Sequence, residues 1–312
     1  MDAVYTHVNG ADPTWRAAFK HVTGQTPSSD RFLEYGELAL SITLLLQHCP
    51  WIRTVFVVHA GALSDRTARA LARWVHAKRV RLVPQETLIR FTTFCSCTVE
   101  AHLHLIPGLS NVFLYSNDDM MVGRPLARSV FLARRPIVDV SAMARSASRT
   151  PCNMAEQHCD NAWALVQARG VPMPSFCRVA HVISVMVVSD CRRVWERYRA
   201  ALLGMCREPL RTPDKTVNFQ FLVALDSAVE GTVQLRGAAH ASRQLALAFV
   251  EDDDAGLEHI LLEMPHRFCV NGVTPGTRAR FAAFATAYLQ RVRALRGKAY
   301  PRIRRWFYGS VR

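Results

Sequence analysis

The sequence predicts an α/β fold, a mainly parallel sheet with a helical second half packed onto it. Three observations carry this expectation. Over residues 1–120, short β-branched and aromatic runs alternate with runs of helical periodicity. Three of the strand-like runs end at Asn9-Gly10, at His59-Ala60 and at Asn117-Asp118-Asp119, breaks suited to the carboxyl ends of parallel strands. From about residue 128 to residue 237 the pattern turns helical.

The elements follow in order. Residues 3–8 (AVYTHV) read as a strand closed by Asn9-Gly10. Residues 31–48 read as a helix, with Leu38, Ile42 and Leu45 on one face and a stop before Pro50. Residues 52–59 form a strand, 65–76 a helix, 80–83 a short strand closed by Pro84, and 96–105 a helix ending before Pro107-Gly108. Residues 112–116 (VFLYS) form a buried strand that runs directly into Asn117-Asp118-Asp119. Later helices are expected at 161–169, 192–203 and 215–225, and the acidic run 251–254 reads as the N-terminal cluster of a helix reaching Met264. The chain divides into an α/β part over 1–126, a mainly helical part over 127–290 and a basic C-terminal arm over 291–312.

Composition limits the function classes. Hydrophobic residues are 50% and charged residues 21%, with 15 Gly and 15 Pro in 312 residues, which excludes a disordered or collagen-like chain. The longest apolar stretches, residues 38–46 and 182–188, fall far short of the ~18 residues of a membrane span. Met1 is followed almost at once by the first strand, so no signal peptide is expected. The net charge is +14, but eight basic residues and no acidic one lie in 291–312, leaving +6 for the rest. That arm suits an anionic surface or simply a solvated helix end, and without a stacking platform or recognisable module no nucleic-acid partner is expected. Nine cysteines exclude a complete disulfide framework within one chain. Cys95-Ser-Cys97 with His102 and His104 lacks a second CxxC pair for a strong zinc signal, Cys152 and Cys159 could pair or bind metal with His158, and ordinary thiol positions are the preferred reading.

The chemistry concentrates at Asp118 and Asp119. Two adjacent carboxylates at a strand end repel each other and favour a hard divalent cation, Mg²⁺ or Mn²⁺, as in sites that hold a diphosphate. On its own the pattern is equally an Asx-rich turn.

A longer pattern surrounds it. Asp2-Ala3-Val4-Tyr5-Thr6-His7-Val8-Asn9-Gly10 with Asp12-Pro13 and Trp15 forms one block. Arg31, Glu37-Leu38, Ser41 and Pro50-Trp51-Ile52-Arg53 begin a second, which continues through Thr93-Phe94, Ser96, Glu100, His104, Gly108-Leu109-Ser110, Phe113 and Tyr115 to Asn117-Asp118-Asp119. Two weaker blocks hold His181 with Arg211 and Asp214, and Cys269 with Asn271. Together these resemble the Stealth family of hexose-1-phosphate transferases. Gly272 stands where the family pattern carries an acidic residue, and the family's usual ending is missing, with Tyr300-Pro301-Arg302 in its neighbourhood.

The resemblance implies a Rossmann-like or glycosyltransferase-A-like sheet and a sugar-1-phosphate transferase acting with Mg²⁺ or Mn²⁺. Its partners would be a nucleotide sugar donor and a glycan or glycoprotein acceptor. It implies a site of Glu100, Asp119, His181 and Arg211, with Asp118 and Asp119 on the metal and Tyr5, Asn9, Gly10, Arg31, Asn117 and Asp214 near substrate. In that setting His181 is the natural general base and Arg211 the phosphate cation, with Glu100 orienting His181 or sharing the metal. Taken singly, each has a plainer reading: His181 a core histidine, Glu100 a surface charge, Arg211 a loop cation, and Tyr5, Asn9 and Gly10 strand-end packing. A metal-dependent glycosyltransferase and a degenerate, non-catalytic glycan-binding homologue are the alternatives. The location expected is the Golgi lumen for a eukaryotic protein and the cytoplasm for a bacterial one.

Overall fold

The structure is a computed structural model, described here for residues 1–28, 32, 34–142, 153–174, 177–237, 245–250 and 253–307. In chain order the elements are β1 (Asp2–Val8), α1 (Pro13–Thr23), α2 (Glu37–His48), β2 (Val55–Ala60), α3 (Asp65–His76), β3 (Val80–Pro84), α4 (Ser96–His102), β4 (Val112–Asn117) and β5 (Met120–Val122). There follow β6 (Ile137–Ala142), α5 (Met154–Gln167), β7 (Cys177–Val179), β8 (Ser184–Val187), α6 (Val188–Arg197), α7 (Arg199–Cys206) and α8 (Phe219–Val229). The last elements are β9 (Gln234–Gly237), β10 (Leu245–Phe249), α9 (Asp254–Glu263), β11 (Arg267–Asn271) and α10 (Arg278–Phe307).

The central sheet runs β3-β2-β1-β4-β8. Its first four strands are mutually parallel and β8 is antiparallel to β4. The expected α/β class holds. Parallel strands need both faces covered, and Ala3, Val4, Tyr5, Val55, Val57, Phe113 and Leu114 are accordingly fully buried. Because β8 runs against β4, Ser184 at its start pairs with Tyr115 near the carboxyl end of β4. The segment that precedes β8, which carries His181, is thereby delivered to the same sheet end as Asp118 and Asp119.

Two small sheets finish the job. In β10-β11-β5, β11 lies antiparallel to β5 with Cys269 opposite Met120, and the Val270 amide donates to the Asp119 carbonyl at 3.0 Å. In β7-β6-β9, β6 pairs antiparallel with β7 and parallel with β9. The second half therefore supplies more strand than the helical reading anticipated. Short runs such as Ser184–Val187, four residues and all buried, carry no periodicity to reveal them.

Several boundaries move for identifiable reasons. Helix α1 goes unanticipated by the sequence reading, although Asp12 caps it by accepting from the Trp15 amide at 2.8 Å and Pro13 opens it. Helix α2 starts at Glu37 rather than residue 31, because Gly36 sits at φ 110° ahead of it. Asn153 and Asn218 cap α5 and α8, so those helices start at Met154 and Phe219 rather than at 161 and 215. The expected helix over 192–203 is two helices broken at Tyr198, whose hydroxyl is drawn to Asp226 at 2.9 Å. The basic arm continues α10 to Phe307, and residues 308–312 lie outside the described residues.

Cys49, Cys95, Cys97, Cys159, Cys191, Cys206 and Cys269 are free thiols, and Cys152 lies outside the described residues. Among the described residues no helix is long and apolar enough to cross a membrane.

Asp226 ties the helices of the second half together. Its fully buried carboxylate accepts from Arg169 at 2.9 Å, Arg193 at 3.1 Å, Arg197 at 2.6 Å and Tyr198 at 2.9 Å. Burial alone would raise its pKa, but these donors hold it below the usual carboxylate value. Asp226→Ala should destabilise the protein by on the order of 2–3 kcal/mol, less than a fully buried pair because the guanidiniums keep contact with water. The measurement is a denaturant titration, with the midpoint lowered at unchanged slope.

Candidate active site

The carboxyl ends of β1, β2 and β4 open into a cleft of about 480 Å³. Its walls include Thr6, His7, Asn117, Asp118 and Asp119 from the sheet end, and His181, Arg211, Asn271 and Gly272 from later in the chain. Trp15, Phe32 and Phe94 form an aromatic side wall, with Trp15 meeting Phe94 edge-on at 5.5 Å between centroids.

Asp119 is the meeting point. Its Oδ2 lies 3.3 Å from His181 Nε2 and accepts from the Cys269 thiol at 3.2 Å, while its Oδ1 is buried with no hydrogen-bond partner. A buried carboxylate oxygen without a donor is costly and is satisfied by a bound cation or water. The side-chain donors of Asp119, His181 and Cys269 all lie within 4.8 Å of one another. A carboxylate, an imidazole and a thiol so placed fit a divalent cation. The CxC–HxH segment, by contrast, is not such a cluster among the described residues, and His102 Nδ1 is bonded to the Thr98 carbonyl at 2.7 Å.

His181 is half-exposed on the cleft wall. Burial pulls its pKa down, but the hydrogen bond and charge of Asp119 outweigh that and leave it raised above the ordinary histidine value. Asp118, on the other side of the turn, accepts from His7 Nδ1 at 3.0 Å. Arg211 donates to the Ser96 hydroxyl, and its Nε is buried without a partner.

Glu100 does not line the cleft. It lies buried on α4, near Arg211, Tyr115 and Ser96, so its surface-charge reading is set aside. Asn117 is in the cleft, where its Oδ1 accepts from the Tyr115 hydroxyl at 2.6 Å. Tyr5 is fully buried away from the cleft, with its hydroxyl 2.9 Å from that of Ser41. Asn9 donates to the Ala62 carbonyl at 2.6 Å and is likewise outside the cleft. Gly10 acts one step removed: its amide donates to the Phe32 carbonyl at 2.7 Å, and a Cβ there would come within 2.5 Å of the Phe32 backbone and side chain. Only glycine lets Phe32 approach and form the aromatic wall. Asp214 is exposed and off the cleft, and Arg31 lies outside the described residues.

Residues that the sequence reading did not place in the site are His7, Ser96 and Cys269. Gly272 sits at φ 74°, a left-handed backbone that suits glycine at this cleft edge, where the related pattern carries an acidic side chain.

The fold and site define an α/β protein with an Asp119-His181-Cys269 cluster, suited to a cation, at its sheet end. Residues 31–139 match the conserved-region model described as Stealth protein CR2, conserved region 2. The chain is 25% identical over 311 residues to the capsular polysaccharide phosphotransferase LcbA of Aeromonas hydrophila, covering 87% of this chain and 78% of that one. It is 26% identical over 245 residues to the capsular polysaccharide phosphotransferase cps12A of Actinobacillus pleuropneumoniae, covering 72% of this chain and 62% of the relative. Over 138 residues it is 36% identical to the exopolysaccharide phosphotransferase SCO6021 of Streptomyces coelicolor, covering 42% of this chain and 25% of that one. Among solved structures, a galactosyltransferase LgtC complex with donor and acceptor sugar analogs aligns with a TM-score of 0.47 and 10% identity, covering 92% of this chain and 96% of that one. The resemblance to the Stealth family read from the motifs is shown by the family match and these relatives.

Burial pushes the Glu100 carboxyl up from 4.5 to about 7, against the pull of Arg211. Burial raises Glu37 to about 7 as well. Between 4.5 and about 7 the folded protein therefore holds protons that the unfolded chain has lost, and stability falls as pH rises through that window. Glu100→Gln should flatten this part of the melting-temperature profile, and an unchanged slope would mean that Glu100 is ionised in the fold.

Proposed function

We propose that the protein is a sugar-1-phosphate transferase. It would move a hexose-1-phosphate from a nucleotide sugar to a glycan hydroxyl and release a nucleoside monophosphate. The observation that carries this reading is the convergence of Asp118, Asp119, His181 and Arg211 on one cleft, from chain segments up to 93 positions apart. The names of the matched relatives, capsular and exopolysaccharide phosphotransferases, support it.

In this reading the acceptor oxygen attacks the sugar-side phosphorus, the bond to the bridging oxygen breaks, and the nucleoside monophosphate leaves with that oxygen. Asp119 would hold Mg²⁺ or Mn²⁺ through its unpartnered Oδ1, with Asp118, outside the Asp119-His181-Cys269 cluster, as the second carboxylate of the turn. When bound, the cation neutralises the diphosphate and stabilises the charge that builds as the phosphoryl group transfers. Arg211 is fixed by Ser96 and presents a planar, always-charged fork to a phosphoryl group. His181 would accept the proton of the acceptor hydroxyl at Nδ1, while its Nε2–H donates to Asp119, which orients the imidazole and stabilises the imidazolium that forms. Glu100 lies near Arg211 and supports it from below the cleft rather than meeting substrate.

Two experiments test the reading. The protein is incubated with a panel of nucleotide sugars, a glycan acceptor and Mg²⁺ or Mn²⁺, and the released nucleotide is identified. Nucleoside monophosphate is expected; diphosphate alone would instead indicate a glycosyltransferase, and binding without turnover a non-catalytic glycan-binding protein. Separately, Asp119→Asn and His181→Ala should each lower turnover by at least ~100-fold with the melting temperature little changed. Wild-type rates in either variant would remove that residue from the chemistry.

A further inference from the structure

We infer that His7 is a positioning residue for the acidic pair, locking Asp118 in the orientation in which it serves a divalent cation. The inference rests on the reading of Asp118 and Asp119 as cation-holding carboxylates.

The imidazole of His7 is fully shielded from solvent at the end of β1. Its Nδ1 donates to Asp118 Oδ2 at 3.0 Å. Its Nε2 points at Glu34 Oε2, 3.9 Å away, and has no hydrogen-bond partner. Glu34 is itself shielded, 2% exposed at its side chain, and is pinned from the far side by α3. The Ser64 hydroxyl, which also caps α3, donates to Glu34 Oε2 at 2.8 Å, and the Thr67 hydroxyl donates to Oε1. Polar groups thus line up from the start of α3 through Glu34 and His7 to Asp118 at the cleft wall, hydrogen-bonded except across the 3.9 Å between Glu34 and His7.

A buried imidazole between two carboxylates is a poor choice for packing alone, because each polar atom taken from water costs free energy unless fully paired. Val4 and Tyr5 on the same strand show what ordinary core positions hold here. What this line of groups achieves is orientation. Asp118 is 36% exposed at its side chain and follows directly on β4, so without His7 its carboxylate would turn freely into solvent. Outer partners of this kind fix cation-holding groups, and their loss commonly weakens affinity by ~10–100-fold.

The test compares Mn²⁺ binding by the full chain and two variants, read by the electron paramagnetic resonance signal of free Mn²⁺. His7→Phe keeps a ring but removes both nitrogens. His7→Asn keeps an amide donor near the place of Nδ1. His7→Phe should raise the Mn²⁺ dissociation constant by ~10–100-fold, while His7→Asn stays within about threefold of wild type. Turnover of His7→Phe should recover as Mn²⁺ is raised, and melting temperatures confirm that all three proteins fold. A His7→Phe protein that folds and binds Mn²⁺ like wild type would overturn the inference and leave the acidic pair as the cation site. So would equal weakening in Phe and Asn variants, since a volume effect does not depend on the donor. Failure of the wild type to bind Mn²⁺ would overturn the cation reading itself.

Discussion

The tie between Asp119 and the later chain is the interaction on which the candidate site depends. Asp119 follows β4 by two positions, yet its Oδ2 is met by His181 and by Cys269, which lie 62 and 150 residues further on. Two carboxylates side by side are unfavourable unless their charge is answered. Here the answer is divided: His7 faces Asp118 from within the sheet, and His181 and Cys269 face Asp119 from outside it. One buried oxygen of Asp119 is left without a donor, which points to an occupant from solution.

The backbone makes that division possible. Antiparallel β8 returns the chain to the carboxyl end of β4, so that His181 arrives there just before Ser184 pairs with Tyr115. Strand β5 leaves the acidic turn at once and is claimed by β11, which sets Cys269 opposite Met120 and binds the Asp119 carbonyl through Val270. The site is thus defined by strand register rather than by loop contacts alone. A one-residue slip in either pairing would turn these side chains to the opposite face. Such a site sits on rigid elements, while Arg211 and Gly272, in the connecting segments, complete its rim.

The sequence made the parallel strands and the acidic turn legible because both are local patterns. Residues 112–116 are apolar and β-branched or aromatic, and the break after them is abrupt. Helix 65–76 was readable to the residue, since Ser64 caps it and its apolar face is regular. Other features were hidden by distance. His7 and Asp118 are 111 positions apart, and neither spacing nor periodicity joins them. Cys269 reads as one more thiol until β11 is placed beside β5. The choice between substrate contact and strand-end packing for Tyr5 is not legible because β1 is buried on both faces, and a strand without polar alternation does not show which residues reach its open end. Glu100 looks like a surface charge on a short helix; only the packing around α4 reveals it as a buried carboxyl near Arg211.

The most direct test of this arrangement is a histidine-selective nitrogen-15 NMR titration with Mn²⁺, a paramagnetic ion that broadens nearby resonances first. The chain holds 12 histidines, and His21, His76 and His259 are exposed outside the cleft. The account predicts that the His7 and His181 signals broaden together at the lowest Mn²⁺ additions while those three stay sharp. Early broadening of His21, His76 or His259 with His7 and His181 unaffected would contradict it.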